Sequence, residues 1–576
     1  MSHPTPSPLL ADRRLHVLLV GALVLRLVIG LDVFGADPTA RALLSDSIYY
    51  RDWALALLGR GEFPFEGPAL AYWMPPLYAR LLAGLGASIG AMLMLQGLLG
   101  LATTVCIVAL SEHLLGAEPR ARAAALASGL LFTLFGPVIF FEGRLLGATL
   151  ATFLAAVALL FLVRFEQKGR ARELVAASLA MGLMSLARPN MLLVLPAMAL
   201  WLAWRARGEA APKRLWVSLL ALGLPALLVL TPALVHNARA TGALVPITTN
   251  GGVNFYFGNN PAAHGTFHAP GPEWGSIQDQ RLVARQLAAD ATGAPVDDVA
   301  ASRYWFARGL SFLTGEPLAA LRLLGLKLAD ILSSTEFGIQ YNLSAARTRA
   351  PSLWLVSLPF GVLLALSALG WRRTLAGPAL FWLASGLVGA LAYFTYSRFR
   401  LPLLPALLPF AGLGLVELLA RAVRPRAVLI AVLLLATSLV PFEGSYPRHL
   451  ESHAFGDMAA ALGMEPGTRA ERAELLDAAL TLVPGNKPAR VARGLLLLER
   501  GEARLALDEL EAAAALPIEY PAADFELARL LAATTIADER DPERARLLID
   551  AWLAAHPAAH PDAPSFRELA RALAKD

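Results

Sequence analysis

The chain has 576 residues, of which 56% are hydrophobic and only 16% charged, with a net charge of +5 and a mean hydropathy of +0.54. Soluble domains carry about a quarter charged residues, so this composition excludes an ordinary soluble protein and leaves a polytopic membrane protein. The basic residues are spread over loops, which gives no nucleic-acid signature, and the lone cysteine, Cys106, has no disulfide partner.

Apolar segments of about 17–25 residues cross a bilayer. In chain order the sequence predicts about eleven, over 15–34, 90–111, 121–140, 145–163, 173–187, 190–204, 215–235, 352–370, 376–396, 401–420 and 426–441. The first follows Arg13 and Arg14 as a signal peptide would, but its long core and the later spans favour an uncleaved helix. Alternate loops carry Arg13/Arg14, Arg120/Arg122, the 164–172 cluster, the 205–214 cluster, Arg372/Arg373 and the 421–426 cluster, which the positive-inside rule makes cytoplasmic. This assignment requires that 317–334, interrupted by Arg322, Lys327 and Asp330, lie in the interface as an amphipathic helix. The other face then receives the first loop, the large 236–351 region and everything after 441. The expected fold is therefore all-α: a polytopic helical bundle over 1–441 with a large periplasmic loop region at 236–351, followed by a helical-repeat domain over 442–576.

Four arginines, Arg144, Arg188, Arg398 and Arg400, sit at span ends on the outer face, where positive charge is disfavoured. Their planar forks suit an anionic lipid head group. In the first loop, "LLSDSIYYRDWALALL" (43–58) places Asp46, Tyr49, Tyr50 and Trp53 on one helical face. Two readings of Asp46 stand level: a first-turn acid behind a Ser45 N-cap, or a functional carboxylate. The rest of that loop, "FPFEGPALAYWMPPLYARLLA" (63–83), suits an interfacial segment. Glu142, in "GPVIFFEGRLLGATL", reads either as a salt bridge easing loop insertion or as a second active-site carboxylate beside Arg144.

The segment "ALVPITTNGGVNFYFGNNPAAHGTF" (243–267) mixes asparagines, including Asn259 and Asn260, with glycines and aromatics. It suits a sugar or a pyrophosphate, although Asn-Gly clusters also simply form turns. His264 fits a structural role better than a ligand. The sequence has no Asp-x-Asp, Walker loop, His-x-x-x-His or cysteine cluster, so neither a metal nor a nucleotide cofactor is signalled. Beyond 445, "KPARVARGLLLLERGEARLALDELEAAAAL" (487–516), with Gly501 at its turn, and a longer copy at 521–557 resemble tetratricopeptide repeats, which either dock a protein partner or cap the membrane domain.

Taken in order, "SDSIYYRDWA", "PPLY", "FEGRLLGATL", "SLARPNMLLVLP", "VPITTNGGVNFYFGNNP" and "YFTYSRFRLPLLPALLPF" resemble the GT-C glycosyltransferases, in particular the bacterial protein O-mannosyltransferase and aminoarabinose transferase branch, over roughly residues 10–440. That resemblance implies a multi-pass protein of the bacterial inner membrane with an extracytoplasmic active site. It also implies a polyprenyl-phosphate sugar donor, a protein, lipid or glycan acceptor, and inversion at the anomeric carbon. Asp46 matches the family's first-loop base, Glu142 matches its second acidic position loosely, and "SRFR" matches a region that holds donor phosphate, with Arg144 or Arg188 assisting. One departure is the usual Asp-Glu pair, here Asp46-Ser47. The alternatives are a lipid-linked glycan flippase, which two broken-helix halves would mark, and an O-antigen ligase or polymerase, which relies on loop arginine and histidine.

Overall fold

The computed structural model describes residues 12–64, 69–116, 118–208, 212–267, 270, 274, 277–338, 340–372, 377–440, 446–464, 466–516, 521–533, 541–555 and 562–574. Positions 65–68 of the first loop, Arg373 of one basic loop and 534–540 of the second repeat copy lie outside the described residues. Described residues form helices, with isolated bridges Phe135–Ser357 and Thr266–Thr395 between loop segments.

In chain order the helices are α1 (Arg13–Ala36), α2 (Pro38–Arg41), α3 (Asp46–Leu57), α4 (Pro76–Gly84), α5 (Ile89–Leu115), α6 (Ala121–Leu134), α7 (Gly136–Glu142), α8 (Ala148–Lys168), α9 (Ala171–Ala187), α10 (Val194–Arg205) and α11 (Pro212–Thr241). They continue with α12 (Gly251–Gly258), α13 (Ile277–Thr292), α14 (Asp298–Gly315), α15 (Pro317–Leu332), α16 (Leu343–Arg349), α17 (Phe360–Gly370), α18 (Gly377–Ala392), α19 (Ser397–Arg400), α20 (Leu404–Leu419) and α21 (Pro425–Leu439). The tail holds α22 (Tyr446–Ala461), α23 (Arg469–Leu482), α24 (Lys487–Glu499), α25 (Ala503–Ala514), α26 (Pro521–Ala533), α27 (Pro542–Ala555) and α28 (Ala563–Leu573). Five stretches are long and apolar enough to cross a membrane: Arg13–Ala36, Ile89–Leu115, Ala148–Lys168, Lys213–Thr241 and Ser397–Leu419. Shorter apolar helices, α6, α17, α18 and α21, accompany them, as a multi-pass membrane protein requires.

Proline explains where several expected spans differ. The segment expected at 121–140 breaks at Phe135, which is extended, because Pro137 supplies no amide hydrogen to continue α6 and instead sits in the first turn of a new helix, α7. The segment expected at 352–370 shortens to α17 because Pro359 sits at its N-cap behind a 3-10 turn. Before α20 a 3-10 turn at Leu401–Leu403 carries Pro402. At the other extreme α11 runs on to Thr241, with Pro225 and Pro232 inside it.

The chain divides into two compact units. The first comprises residues 1–36, 43–338 and 346–442. Its packing depends on close helix contact: a Cβ on Gly412 would meet Ala124 O at 2.2 Å, and one on Gly414 would meet Leu366 O at 1.9 Å, so α20 lies backbone to backbone against α6 and α17. Within this unit α15 is polar on the inside. Lys327 and Asp330 are buried, whereas Leu318, Leu321, Leu324 and Leu328 face outward, a polarity suited to apolar surroundings.

The second unit comprises residues 443–576 together with 37–42 and 339–345. Each of its helices from α22 to α28 packs on the next. Gly501, at φ +79, makes the turn between α24 and α25, a left-handed conformation that favours glycine. Its core includes Leu510, Leu527, Ile549 and Phe566, with Trp552 stacked on Phe566 at 3.9 Å.

Candidate active site

The α3 segment begins at a strained turn. Ser45 occupies the N-cap position with φ 45 and ψ −113, and its side chain makes no capping bond, so the capping account of the Ser45-Asp46 pair loses half its basis. Asp46, Tyr49, Tyr50 and Trp53 are all buried, as one-face spacing predicts. The aromatics form a continuous wall: Tyr49 and Trp53 meet edge to face at 5.6 Å, and Trp53 reaches Tyr72 at 5.5 Å. Tyr72 is fixed in turn by α11. It stacks on His236 at 4.1 Å, its amide donates to Asn237 Oδ1 at 2.9 Å, and its carbonyl accepts from Thr249 N at 2.9 Å.

Opposite α3 lies the segment 393–400. Its backbone is held at both ends of Tyr396: Thr395 N donates to Gly265 O at 3.0 Å, and Ser397 N donates to Phe337 O at 3.2 Å. Phe394, Tyr396 and Phe399 pack on one another at 5.1–5.8 Å. This framework presents Arg398 to Asp46, with Nη2 3.0 Å from Oδ2. Asp46 Oδ1 has no hydrogen-bond partner among the described residues. Arg188, at the C-cap of α9, completes the corner: its Nη1 donates to Arg398 O at 2.9 Å, and its guanidinium lies 4.2 Å from the centre of the Phe399 ring.

Two guanidiniums and a phenol therefore share the electrostatic reach of one carboxylate. Burial, then the positive charge of Arg398, pulls the Arg188 guanidinium down to about 9, against opposing pulls from Tyr50 and Asp46. Burial, then the Asp46 charge, pushes the Tyr50 hydroxyl well above the usual phenol range. Tyr50 packs edge to face on Tyr78 at 4.9 Å, and Tyr78 Oη donates to Gln96 Oε1 at 2.8 Å. Gln96 Nε2 then donates to both Glu142 O and Arg144 O at 2.8 Å.

The remaining candidates are distributed differently. Arg398 and Arg400 are two apart on a helical turn and so point to opposite sides. Arg400 pairs with Glu336 Oε2 at 2.8 Å, donates to the carbonyls of Ser333 and Thr335, and lies over Phe360. The Glu142 carboxylate faces Arg26 of α1 in a bidentate pair, at 2.7 and 2.9 Å, so the two candidate acids hold different arginines. Arg144 is buried against the Phe140 ring at 4.7 Å. Asn259 bonds Phe255 O, Ala392 O and Lys327 Nζ, which ties α12 to α18 and α15, and Asn260 bonds Tyr256 O, Phe257 O and Ala262 N, which makes it a local turn-builder. His264 is half-buried, next to the Gly265–Thr395 pairing.

Sequence reasoning passed over Arg26, Gln96 and Glu336. A charged residue midway along an otherwise apolar span was a usable signal for Arg26. The partners of Gln96 and Glu336 carry no sequence pattern. Among the described residues no group of three His, Cys, Asp or Glu side chains converges as a metal site would.

The sequence profile of the family described as dolichyl-phosphate-mannose-protein mannosyltransferase matches residues 66–236, under a third of the chain. No curated protein matches in sequence. Among solved structures, the apo oligosaccharyltransferase of Archaeoglobus fulgidus aligns at 14% identity and a TM-score of 0.40, over 96% of this chain and 61% of its own. The archaeal oligosaccharyltransferase AglB from the same organism, in complex with an inhibitory peptide and a dolichol-phosphate, aligns at 13% identity and a TM-score of 0.39, over 80% of this chain and 59% of its own. The chain thus spans about three fifths of the length of these structures, and the likeness is remote.

Proposed function

We propose that this chain is a GT-C membrane glycosyltransferase that moves a sugar from a polyprenyl-phosphate donor to an acceptor hydroxyl. We place the reaction on the extracytoplasmic face of a bacterial inner membrane, with inversion at the anomeric carbon. The observation that carries the reading is the Asp46–Arg398 pair, which joins residues 352 apart through Oδ2 and leaves Oδ1 without a hydrogen-bond partner among the described residues. The profile match over 66–236, to a family whose description names a lipid-phosphate sugar, points the same way.

The chemistry follows from the side chains. The acceptor hydroxyl oxygen attacks the anomeric carbon and passes its proton to Asp46 Oδ1 as the new bond forms, since a carboxylate is too weak a base to ionise an alcohol beforehand. The bond from the anomeric carbon to the donor phosphate oxygen breaks, and its electron pair leaves on the lipid phosphate. That leaving group is already a stable anion and needs no proton donor. What it needs is preorganised positive charge, which Arg398 and Arg188 supply as bidentate donors. The depressed Arg188 supports this role, because a phosphate would relieve the burial and like-charge cost that pulls it down. The Tyr49, Tyr50 and Trp53 wall offers faces for a sugar ring.

Membranes carrying the full chain, given radiolabelled polyprenyl-phosphate sugar, should transfer label to an acceptor. Arg398→Ala should raise the donor concentration needed by about 10- to 100-fold, the worth of a charge-assisted bond. A donor requirement equal to wild type would remove the phosphate role from Arg398.

A further inference from the structure

Within the first unit, α17, α20 and α21 flank a second site that shares no residue with the Asp46 corner. α20 starts beside the 397–400 segment and runs 16 residues, so its far end lies about 24 Å along the axis. A cavity of about 810 Å³ runs from Leu407, in the first turn of α20, to Arg424 and Arg426 in the segment that follows that far end. α17 contributes Leu364, Ser367 and Trp371, and α21 contributes Ala427, Ile430 and Leu434, each at the three-to-four spacing that puts residues on one helical stripe. Leu407 of α20, whose carbonyl accepts from Ser367 Oγ at 3.2 Å, completes the lining. Walls of leucine, isoleucine and tryptophan offer water few partners, and an unfilled space of this size would forfeit dispersion contacts along its lining. Hydrocarbon is the filling that suits these walls.

The rim has the opposite character. Arg424 and Arg426 flank Pro425 at the start of α21 and line the mouth of the cavity. Both are exposed, and among the described residues neither has a carboxylate or carbonyl partner. Arg372 is different, being committed to Glu417 and Glu118. On its outer side α21 exposes Leu429, Val432 and Leu433, so the cavity adjoins a surface suited to acyl chains.

We propose that this cavity binds an anionic phospholipid, with an acyl chain between α17 and α21 and its phosphodiester held by Arg424 and Arg426. An apolar slot with a basic rim between membrane helices matches such a head group, and arginine's fork suits the phosphate oxygens. The lipid would complete the packing of α21 on α17. The site is separate from the Asp46 corner and takes no part in sugar transfer.

The test uses the full-length protein in non-ionic detergent, titrated with phosphatidylglycerol, phosphatidylcholine or inorganic phosphate and followed by thermal shift and native mass spectrometry. Phosphatidylglycerol should bind saturably and raise Tm, whereas phosphatidylcholine and phosphate should not. The exposed-arginine variant Arg424→Ala/Arg426→Ala should bind phosphatidylglycerol about 30-fold more weakly, at about 1 kcal/mol per basic residue. Ala427→Leu, which fills the slot and keeps both arginines, should also weaken binding, and Asp46→Asn should bind like wild type. Equal affinity for phosphatidylcholine, binding of phosphate alone, undiminished binding in either cavity variant, or loss of binding in Asp46→Asn would each overturn the proposal.

Discussion

Asp46→Asn separates a base from a structural counter-ion. Asparagine keeps the shape of the side chain and an acceptor oxygen for Arg398, whose Nη2 lies 3.0 Å from Oδ2, but it cannot take a proton. The hydrogen bond survives in its neutral form, but Arg398 and the buried Arg188 lose their counter-charge, so the fold should lose about 2–4 kcal/mol. Transfer should fall about 100- to 10,000-fold, the usual worth of a positioned general base. Donor binding should move the other way: with the carboxylate neutralised, Arg398 and Arg188 meet less competition for phosphate, and the donor Kd should hold or drop. The assay is single-turnover transfer from radiolabelled polyprenyl-phosphate sugar, alongside donor binding to the same purified variant. Transfer within threefold of wild type by a folded, donor-binding variant would refute the base assignment.

Three further outcomes follow from the structure. Glu142→Gln should cost about 3–5 kcal/mol by leaving the buried Arg26 without its counter-charge, while Glu142→Met with Arg26→Met should recover much of that Tm, since an apolar pair avoids the uncompensated charge; transfer lost in that folded double variant would instead give Glu142 a chemical role. Gly414→Ala should cost about 1–3 kcal/mol of stability by overpacking against Leu366 O, read as a lower Tm, while Gly223→Ala, with nothing within 4 Å, should be neutral or slightly stabilising. Burial draws the Lys327 ammonium down to about 7 from the usual 10.5, so between those values the unfolded chain binds the extra proton and stability rises with pH; Lys327→Met should flatten a slope on the order of 2–4 kcal/mol in chemical denaturation across pH 7–10.

Much of the corner around Asp46 was legible beforehand because it obeys local rules. The spacing of Asp46, Tyr49, Tyr50 and Trp53 defines one helical face, and the structure buries that face. The arginines at span ends stood out because positive charge is rare there. What the same reasoning could not divide was the pair in "SRFR": Arg398 turns to Asp46 and Arg400 to Glu336. The split depends on which side of a four-residue helix faces α3, and that is set by the pairing of Thr395 with Gly265 and of Ser397 with Phe337. Nor could the sequence show that Asn259 and Asn260 would turn inward to backbone carbonyls, since an Asn-Gly-rich loop reads the same whether it binds a ligand or ties its own turn.

By itself, the sequence determined the class of the molecule, an all-helical membrane chain with a helical tail, because apolar run length and charge placement are free-energy terms of individual segments in lipid. The tertiary structure decided which acid meets which arginine. Asp46 meets Arg398 across 352 residues because backbone bonds hold 395–397 in place, and Glu142 meets Arg26 across 116 because Gly100 leaves room for the pair, where a Cβ would meet Glu142 Oε1 at 1.9 Å. Coulomb energy and desolvation depend on such distances and on burial, which no local pattern encodes.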